Sequence, residues 1–397
     1  MIKKIKSELR KKYYSFLIEF LNSQSFGGFL LIACTVISLL LANSSVGSHY
    51  THFWHQEYQF NLWFKSINAN IEFIVNDVLM CIFFLLVGIE IKREIIIGEL
   101  STREKLVLPL AAAIGGMLVP AFIYNLFNHG NIAQHGWGIP MATDIAFALG
   151  VLSLLGNRVP IALKVFLTAL AVIDDLGAII VIALFYSSGI NLMYALLSLG
   201  VIIILLLLNK LKVNYTFVYL ILGGVLWFTV YQTGVHSTIA GVLLAFTLPT
   251  FHHKKGESIL LQVGHAIHLP VTYFIMPLFA MVNTAILINA RSFEHSPNAL
   301  FYGIAAGLFF GKPIGILLFS FISVKLKWAV LPQGTNWNSM VGVGILSGIG
   351  FTMSVFITIL AFDDKILIDS SKIIIMLTSL IAALTGLLWL TLALKNK

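Results

Sequence analysis

Phe166-Leu-Thr-Ala-Leu-Ala-Val-Ile-Asp-Asp-Leu-Gly-Ala-Ile-Ile-Val-Ile-Ala-Leu-Phe185 is long and apolar enough to cross a bilayer as a helix, yet two adjacent carboxylates, Asp174 and Asp175, stand in its middle. A charged side chain at the bilayer centre costs at least about 2.5–3.5 kcal/mol on insertion scales. Two side by side need a reason. The reading is that they bind and release a cation, and that other spans complete the site.

The rest of the chain has the same character. Of 397 residues, 58% are hydrophobic and 11% charged, where a soluble domain carries about a quarter charged residues. Mean hydropathy is +0.93. These values define an all-α polytopic membrane protein and leave nothing soluble to bind nucleic acid. Cys34 and Cys81 lie in apolar segments and provide neither a disulfide framework nor metal spacing.

Apolar lengths predict about twelve spans, at 25–43, 71–91, 106–127, 137–156, 160–187, 192–209, 215–231, 235–251, 259–289, 299–324, 339–362 and 366–394. Pro270 and Pro277 predict a kink in the ninth. Lys and Arg accumulate on the cytoplasmic side of a membrane protein. With the N-terminus inside, the inside segments hold 20 of the 25 basic residues. Lys65, Arg291, Lys365 and Lys372 fall outside, and Lys312 falls within a span. Both termini are therefore expected in the cytoplasm. Residues 1–24 form a basic segment, read over 3–22 as an amphipathic helix on the membrane surface. Residues 25–397 form a single transmembrane domain. The first outside loop, 44–70, includes Tyr58-Gln-Phe-Asn-Leu-Trp-Phe64. Its alternation suits either a short β-hairpin or an aromatic interfacial loop.

Two spans carry helix-breaking residues. One reads Gly136-Trp-Gly-Ile-Pro-Met-Ala-Thr-Asp144, the other Val341-Gly-Val-Gly-Ile-Leu-Ser-Gly-Ile-Gly350. Interrupted spans in matching positions of two halves point to a transporter site near the midplane, with repeats at approximately 106–187 and 299–394. Glycines alone could instead serve tight packing, but packing does not require Asp144.

Thr143, Asp144, Asp174, Asp175 and Lys312 are the candidate site. Three carboxylates against one amine leave a negative surplus that must be protonated or hold a cation. Adjacent helical residues project about 100° apart. One aspartate is thus expected to face Thr143 and Asp144 and hold the ion, and the other to meet Lys312. Burial disfavours a group's charged form, so a carboxylate here can exchange a proton for a hard cation such as Na+ or Li+. Glu90, Arg93 and Glu94 close the second span on the inside. His265 and His268 share a helical face, and together these groups could gate with pH or simply balance a basic helix end. His236, near the outer end of its span, reads as a structural hydrogen-bonding residue.

The chain resembles the NhaA family of bacterial Na+/H+ antiporters. The resemblance rests on Ala142-Thr-Asp-Ile-Ala-Phe-Ala-Leu-Gly150, Ala171-Val-Ile-Asp-Asp-Leu-Gly-Ala178, Phe83-Phe-Leu-Leu-Val-Gly-Ile-Glu-Ile-Lys-Arg-Glu94, Gly311-Lys-Pro-Ile-Gly315 and Gly348-Ile-Gly-Phe-Thr-Met-Ser354. The inverted-repeat rule is itself drawn partly from this family, so the two are not independent. The resemblance implies electrogenic exchange of cytoplasmic Na+ or Li+ for external H+ without a cofactor, serving pH homeostasis and sodium tolerance. Asp175 would be the principal carrier, Asp174 would sit beside it with Lys312 as partner, and Na+ or Li+ would bind at Asp175 and Asp174. Asp144 and Thr143 would lie where the broken helices cross. Glu90, Arg93, Glu94, His265 and His268 would respond to pH, and an outside hairpin at 55–66 would join a homodimer. The chain departs from the family at Gly264, where the family has glutamate, at Leu269, where it has proline, and at Val282-Asn-Thr-Ala285, where it has Ala-Asn-Ala-Gly. These departures touch the pH response. An intramembrane aspartyl protease pairing Asp144 with Asp175, or a cation channel, are the alternatives. The protease's Gly-x-Gly-Asp signature is absent, since Phe351 follows Gly350.

Overall fold

The computed structural model describes residues 26–62, 65–96, 98, 103–187, 189–250, 258–287 and 297–394, and the N-terminal segment 1–24 lies outside them. In chain order the elements are α1 (Phe26–Ala42), α2 (Gly47–His55), β1 (Glu57–Leu62), β2 (Lys65–Asn70) and α3 (Ile71–Ile96). Next come α4 (Arg103–Asn128), a 3-10 segment (Gln134–Met141), α5 (Ile145–Ser153), α6 (Ile161–Phe185), α7 (Leu192–Lys210), α8 (Thr216–Thr233) and α9 (Ile239–Thr247). The chain closes with α10 (Ile259–Asn283), α11 (Asn298–Lys325), α12 (Trp337–Ser347), α13 (Phe351–Ala361) and α14 (Lys365–Ala393).

Nine helices among the described residues are long and apolar enough to span a membrane, and two bent pairs, α1–α2 and α12–α13, bring the number to as many as eleven. The difference from twelve lies at 235–251. There α9 has nine residues, about 14 Å of helix against a hydrocarbon core of about 30 Å. Gly234, at φ 86°, ends α8 in the left-handed conformation and delays the next helix. The expected loop at 44–70 holds α2, turned 114° from α1. β1 and β2 follow it, antiparallel, with Glu57 opposite Asn70 and Leu62 opposite Lys65. Residues 63 and 64 between them lie outside the described residues.

Around Pro270 and Pro277 the backbone widens into a π-helical turn, Val271–Ile275, and α10 continues to Asn283. The wider turn accommodates the N–H that proline lacks and its ring. Similar turns occur in α3 at Ile74–Leu79 and in α11 at Gly307–Gly311. Lys372, counted outside by charge, lies buried within α14. The helix starts at Lys365, two turns earlier than the residue.

The chain divides into two compact units, Met1–Ala33 with Arg93–Ala178 and Ile288–Lys397, and Cys34–Lys92 with Ile179–Leu287. In the first, α4 and α11 meet at glycine. A Cβ on Gly315 would come within 2.0 Å of the Gly115 carbonyl oxygen, and one on Gly115 within 2.2 Å of that of Gly315. The same contact brings Gly311 onto Pro120 and Gly307 onto Pro140. α12 lies on α14, with Gly342 under Leu390 and Gly386 under Leu346.

In the second unit, Leu205, Tyr219, Leu226, Leu244, Leu260 and Val263 join Leu85 and Ile89 in one apolar core. α3 and α9 cross where Gly88 meets Val242 and Ala245, and where Gly241 meets the Cys81 carbonyl. Gly264 faces Ile89 so closely that a Cβ would sit 3.0 Å from its Cγ2. Lys92 donates to the carbonyls of Phe246 and Leu248, each at 2.6 Å, at the C-terminal end of α9. A cation there satisfies carbonyls that a helix end leaves open and opposes the negative end of its dipole.

Candidate functional site

The site lies in the first unit, where two helical breaks meet. Ala142–Asp144 separate the 3-10 segment from α5, and Gly348–Gly350 separate α12 from α13, which bend by 43°. Five hydrogen bonds tie the breaks together, that from the Thr352 hydroxyl to Asp144 Oδ2 among them. The Asp144 N–H donates to the Ile349 carbonyl at 2.7 Å, and the Ser354 hydroxyl donates to the Ile139 carbonyl at 2.7 Å. The Thr143 hydroxyl reaches the Ser347 carbonyl at 2.9 Å. The Thr352 N–H donates to Asp144 Oδ2 at 3.0 Å. Each broken helix thus supplies the partners for backbone groups the other leaves open, as an apolar interior demands.

Asp144 caps two helices at once. Its Oδ1 accepts from the Phe147 N–H at 2.9 Å, at the start of α5. Its Oδ2 accepts from both the N–H and the hydroxyl of Thr352, at the start of α13. The positive ends of two helix dipoles converge on this carboxylate, which balances them.

Lys312 follows the π turn at Gly307–Gly311 and is fully buried. Its three N–H groups find three oxygens: the Met141 carbonyl at 2.6 Å, Asp174 Oδ2 at 2.6 Å and the Thr143 hydroxyl. That exhausts the donors of an ammonium. Asp174 Oδ2 also lies 3.0 Å from the Thr143 hydroxyl. The other oxygen, Oδ1, makes no hydrogen bond among the described residues. It faces Gly116, where a Cβ would stand 3.9 Å away. Asp175 is buried one residue further along α6, within electrostatic reach of Lys312.

The structure therefore brings Thr143, Asp174 and Lys312 into one network and sets Asp144 beside it. Of the two adjacent aspartates, Asp174 is the one that meets Lys312. The Thr143 hydroxyl turns to Asp174 and the Ser347 carbonyl, and Asp144 turns to Thr352 and Phe147. The reason is the pull of the ammonium. Lys312 holds Thr143 and Asp174 together, and two helix N-termini claim Asp144. A protease would need Asp144 and Asp175 to share a proton across a gap, and Asp144 has no hydrogen bond to Asp175.

Of the groups linked to pH, Glu90, Arg93 and Glu94 are buried at the end of α3, with Arg93 Nη2 3.7 Å from Glu94 Oε1. His268 is buried and His265 exposed on α10. Glu90, His265 and His268 belong to the second unit, and Arg93 and Glu94 to the first. His236 Nε2 lies 3.0 Å from the Tyr186 carbonyl.

Sequence reasoning missed Thr352 and Ser354, although both stand in the Gly348–Ser354 motif. Their hydroxyls in an otherwise apolar run were the available signal. The carbonyls of Met141, Ser347 and Ile349 carry no such signal. It also missed Asp77, which lies within α3.

A buried, charged network held between interrupted helices of an apolar bundle points to the class: a polytopic membrane protein of the secondary-transporter kind. The chain belongs to the Na+/H+ antiporter 1 family, whose model matches residues 18–390. It is 50% identical over 377 residues to a Na(+)/H(+) antiporter NhaA of Cytophaga hutchinsonii, covering 95% of each chain. It is 48% identical to that of Flavobacterium psychrophilum, over 95% of this chain and 96% of the relative. With a Na(+)/H(+) antiporter NhaA 1 of Klebsiella pneumoniae the identity is 46%, over 93% and 94%. Membership supports exchange of Na+ and H+ across a membrane.

Proposed function

We propose that this chain exports cytoplasmic Na+ or Li+ in exchange for external H+, electrogenically and under pH control, in the bacterial inner membrane. The observation that carries the reading is the Lys312–Asp174–Thr143 network with Asp175 one residue away. With all three ionised, the two carboxylates and the ammonium leave one negative charge, which one monovalent cation neutralises. A carboxylate occupied by a proton cannot hold the cation, so the two loads compete at Asp175 and Asp174 and no ATP is needed.

Oxygen atoms suit the cargo. Asp174 Oδ1 and the Asp175 carboxylate are the anionic ligands, and Thr143 lies close enough to contribute its hydroxyl. Asp144 keeps the two half-helices crossed rather than carrying the ion. The organisation around this site is read as twelve spans, α9 being the short one, with inverted repeats at approximately 106–187 and 299–394. Both termini are placed in the cytoplasm and residues 1–24 at its membrane surface. The segment 55–66, which carries β1 and the start of β2, is assigned to a homodimer contact, and Glu90, Arg93, Glu94, His265 and His268 to the pH response.

The test is Na+-dependent collapse of an imposed ΔpH in proteoliposomes. Wild type should respond and Asp175→Asn should not. No Na+-driven proton movement in wild type overturns the function. Equal activity in the variant overturns the site.

A further inference from the structure

Asp77 is a carboxylate within a membrane-spanning helix that the proposed transport site does not use. It lies in the second unit, in the π-helical turn Ile74–Leu79 of α3. Among the described residues, its one hydrogen bond is from the Ser237 hydroxyl to Oδ1, at 2.8 Å, and it has no ion pair. Its second oxygen is not sealed into the protein, since Asp77 is half-buried and Oδ2 is not among the fully enclosed polar atoms. Intramembrane carboxylates without a cationic partner are costly. Such a group holds a proton or meets a cation.

Its surroundings favour the cation. The Asn76 side chain next door is locked by the Asn283 amide, which donates to Asn76 Oδ1 at 2.8 Å and to the Phe279 carbonyl at 3.0 Å. In reverse, the Asn76 amide points to Asn283 Oδ1 at 3.5 Å. A π turn interrupts the regular backbone ladder, and such turns recur at functional positions. The corresponding turn in α11 presents Lys312 to the transport site. Near Asp77, Tyr231 feels the carboxylate's charge, stacks on Trp227 at 5.9 Å and meets Phe73 edge-on at 5.6 Å. One turn before Asp77, Glu72 Oε2 lies 2.8 Å from His55 Nδ1. The Asp77 carboxylate and the Ser237 hydroxyl, with no lysine or arginine paired to the acid among the described residues, are hard oxygen ligands suited to a small monovalent cation.

We propose that Asp77, with Ser237, forms a second binding site for Na+ or Li+, separate from Asp174 and Asp175. The proposal rests on the exchange reading above for the identity of its cation. Protons compete for it as they do for any carboxylate. The site loads cations and does not itself perform the exchange.

The experiment counts bound 22Na+ on the purified full-length protein in detergent at alkaline pH. Wild type should bind two ions, Asp77→Asn one, Asp175→Asn one, and the double variant none. In proteoliposomes Asp77→Asn should retain a maximal rate within about twofold of wild type while its half-saturating Na+ rises about three- to tenfold, the pattern of lost ground-state binding. Ser237→Ala should raise it in the same direction but less. If Asp77→Asn fails to fold, Ser237→Ala decides: unchanged Na+ affinity in that variant overturns the proposal. One bound ion in wild type, lost with Asp175→Asn and kept with Asp77→Asn, also overturns it while leaving antiport intact. No Na+ binding in any form counts against the exchange reading as well.

Discussion

Lys312 owes its place in a dry interior to three oxygens, from Met141, Thr143 and Asp174. Removing the ammonium strands a buried carboxylate, and breaking a buried pair from one side costs about 3–5 kcal/mol. Lys312→Met is expected to lower the thermal unfolding midpoint in detergent. Lys312→Met with Asp174→Asn should recover most of the loss, because neither charge then remains. A double variant no more stable than the single would refute the pairing. Thr352 is a subtler case. Its hydroxyl and its N–H both serve Asp144 Oδ2. Thr352→Val keeps the backbone bond and the side-chain shape but loses one hydrogen bond to a charged group, about 1.5–3 kcal/mol. The expected result is a destabilised protein whose half-saturating Na+ changes less than twofold. A large rise in that constant at unchanged stability would instead make Thr352 a ligand.

At the level of elements, glycine decides how closely the helices approach. α4 and α11 touch backbone to backbone at Gly115 and Gly315. α11 carries Lys312 three residues before this contact, so the crossing also sets the depth of the ammonium. Gly315→Ala would force a methyl against the Gly115 carbonyl. Overpacking typically costs about 1–3 kcal/mol, and here it should also weaken Na+ binding by displacing Lys312. Isothermal titration with Na+ alongside thermal unfolding checks both effects, and unchanged affinity would separate the crossing from the site. Lys92 acts on another element. It holds the last carbonyls of α9, a helix too short to support itself by length. Lys92→Met should raise hydrogen exchange across Ile239–Thr247 and leave α7 unchanged.

For the whole molecule, orientation and pH response are the properties to test. The basic residues gather on one set of loops, and that asymmetry predicts an inside C-terminus. A green fluorescent protein fused after Lys397 should fluoresce and alkaline phosphatase at the same place should be silent. The reverse pattern would invert the topology. Gly264 lies against Ile89, whose Cγ2 would have to give by a few tenths of an ångström to admit the Cβ of the glutamate that the family resemblance implies at this position. A pH profile that is flattened or displaced relative to the relatives is expected in proteoliposomes assayed across pH. A steep alkaline switch would show that the missing carboxylate is dispensable.

The reading of class came from length and hydropathy, because a bilayer imposes the same condition on every span: about twenty apolar residues with internally satisfied backbone. That condition is local, so the chain alone displays it. It fails at α9, which is short, and at α2, where a helix occupies what reads as loop, because neither is defined by apolar length. The cost of intramembrane charge is also local, and it singled out Asp144, Asp174, Asp175 and Lys312 before any contact was known. Asp77 escaped attention for want of a conspicuous neighbour in sequence. What only the tertiary structure decided is the division of labour among these groups. Adjacent aspartates project about 100° apart, but which of them meets Lys312 depends on the π turn in α11 and on the glycine contact with α4. The sequence by itself established that expensive charges lie in the membrane. The packing of helices distant in the chain established that Asp174 holds the ammonium and that Asp144 joins two helix ends, since partner oxygens such as those of Met141 and Ile349 are backbone atoms that every residue possesses.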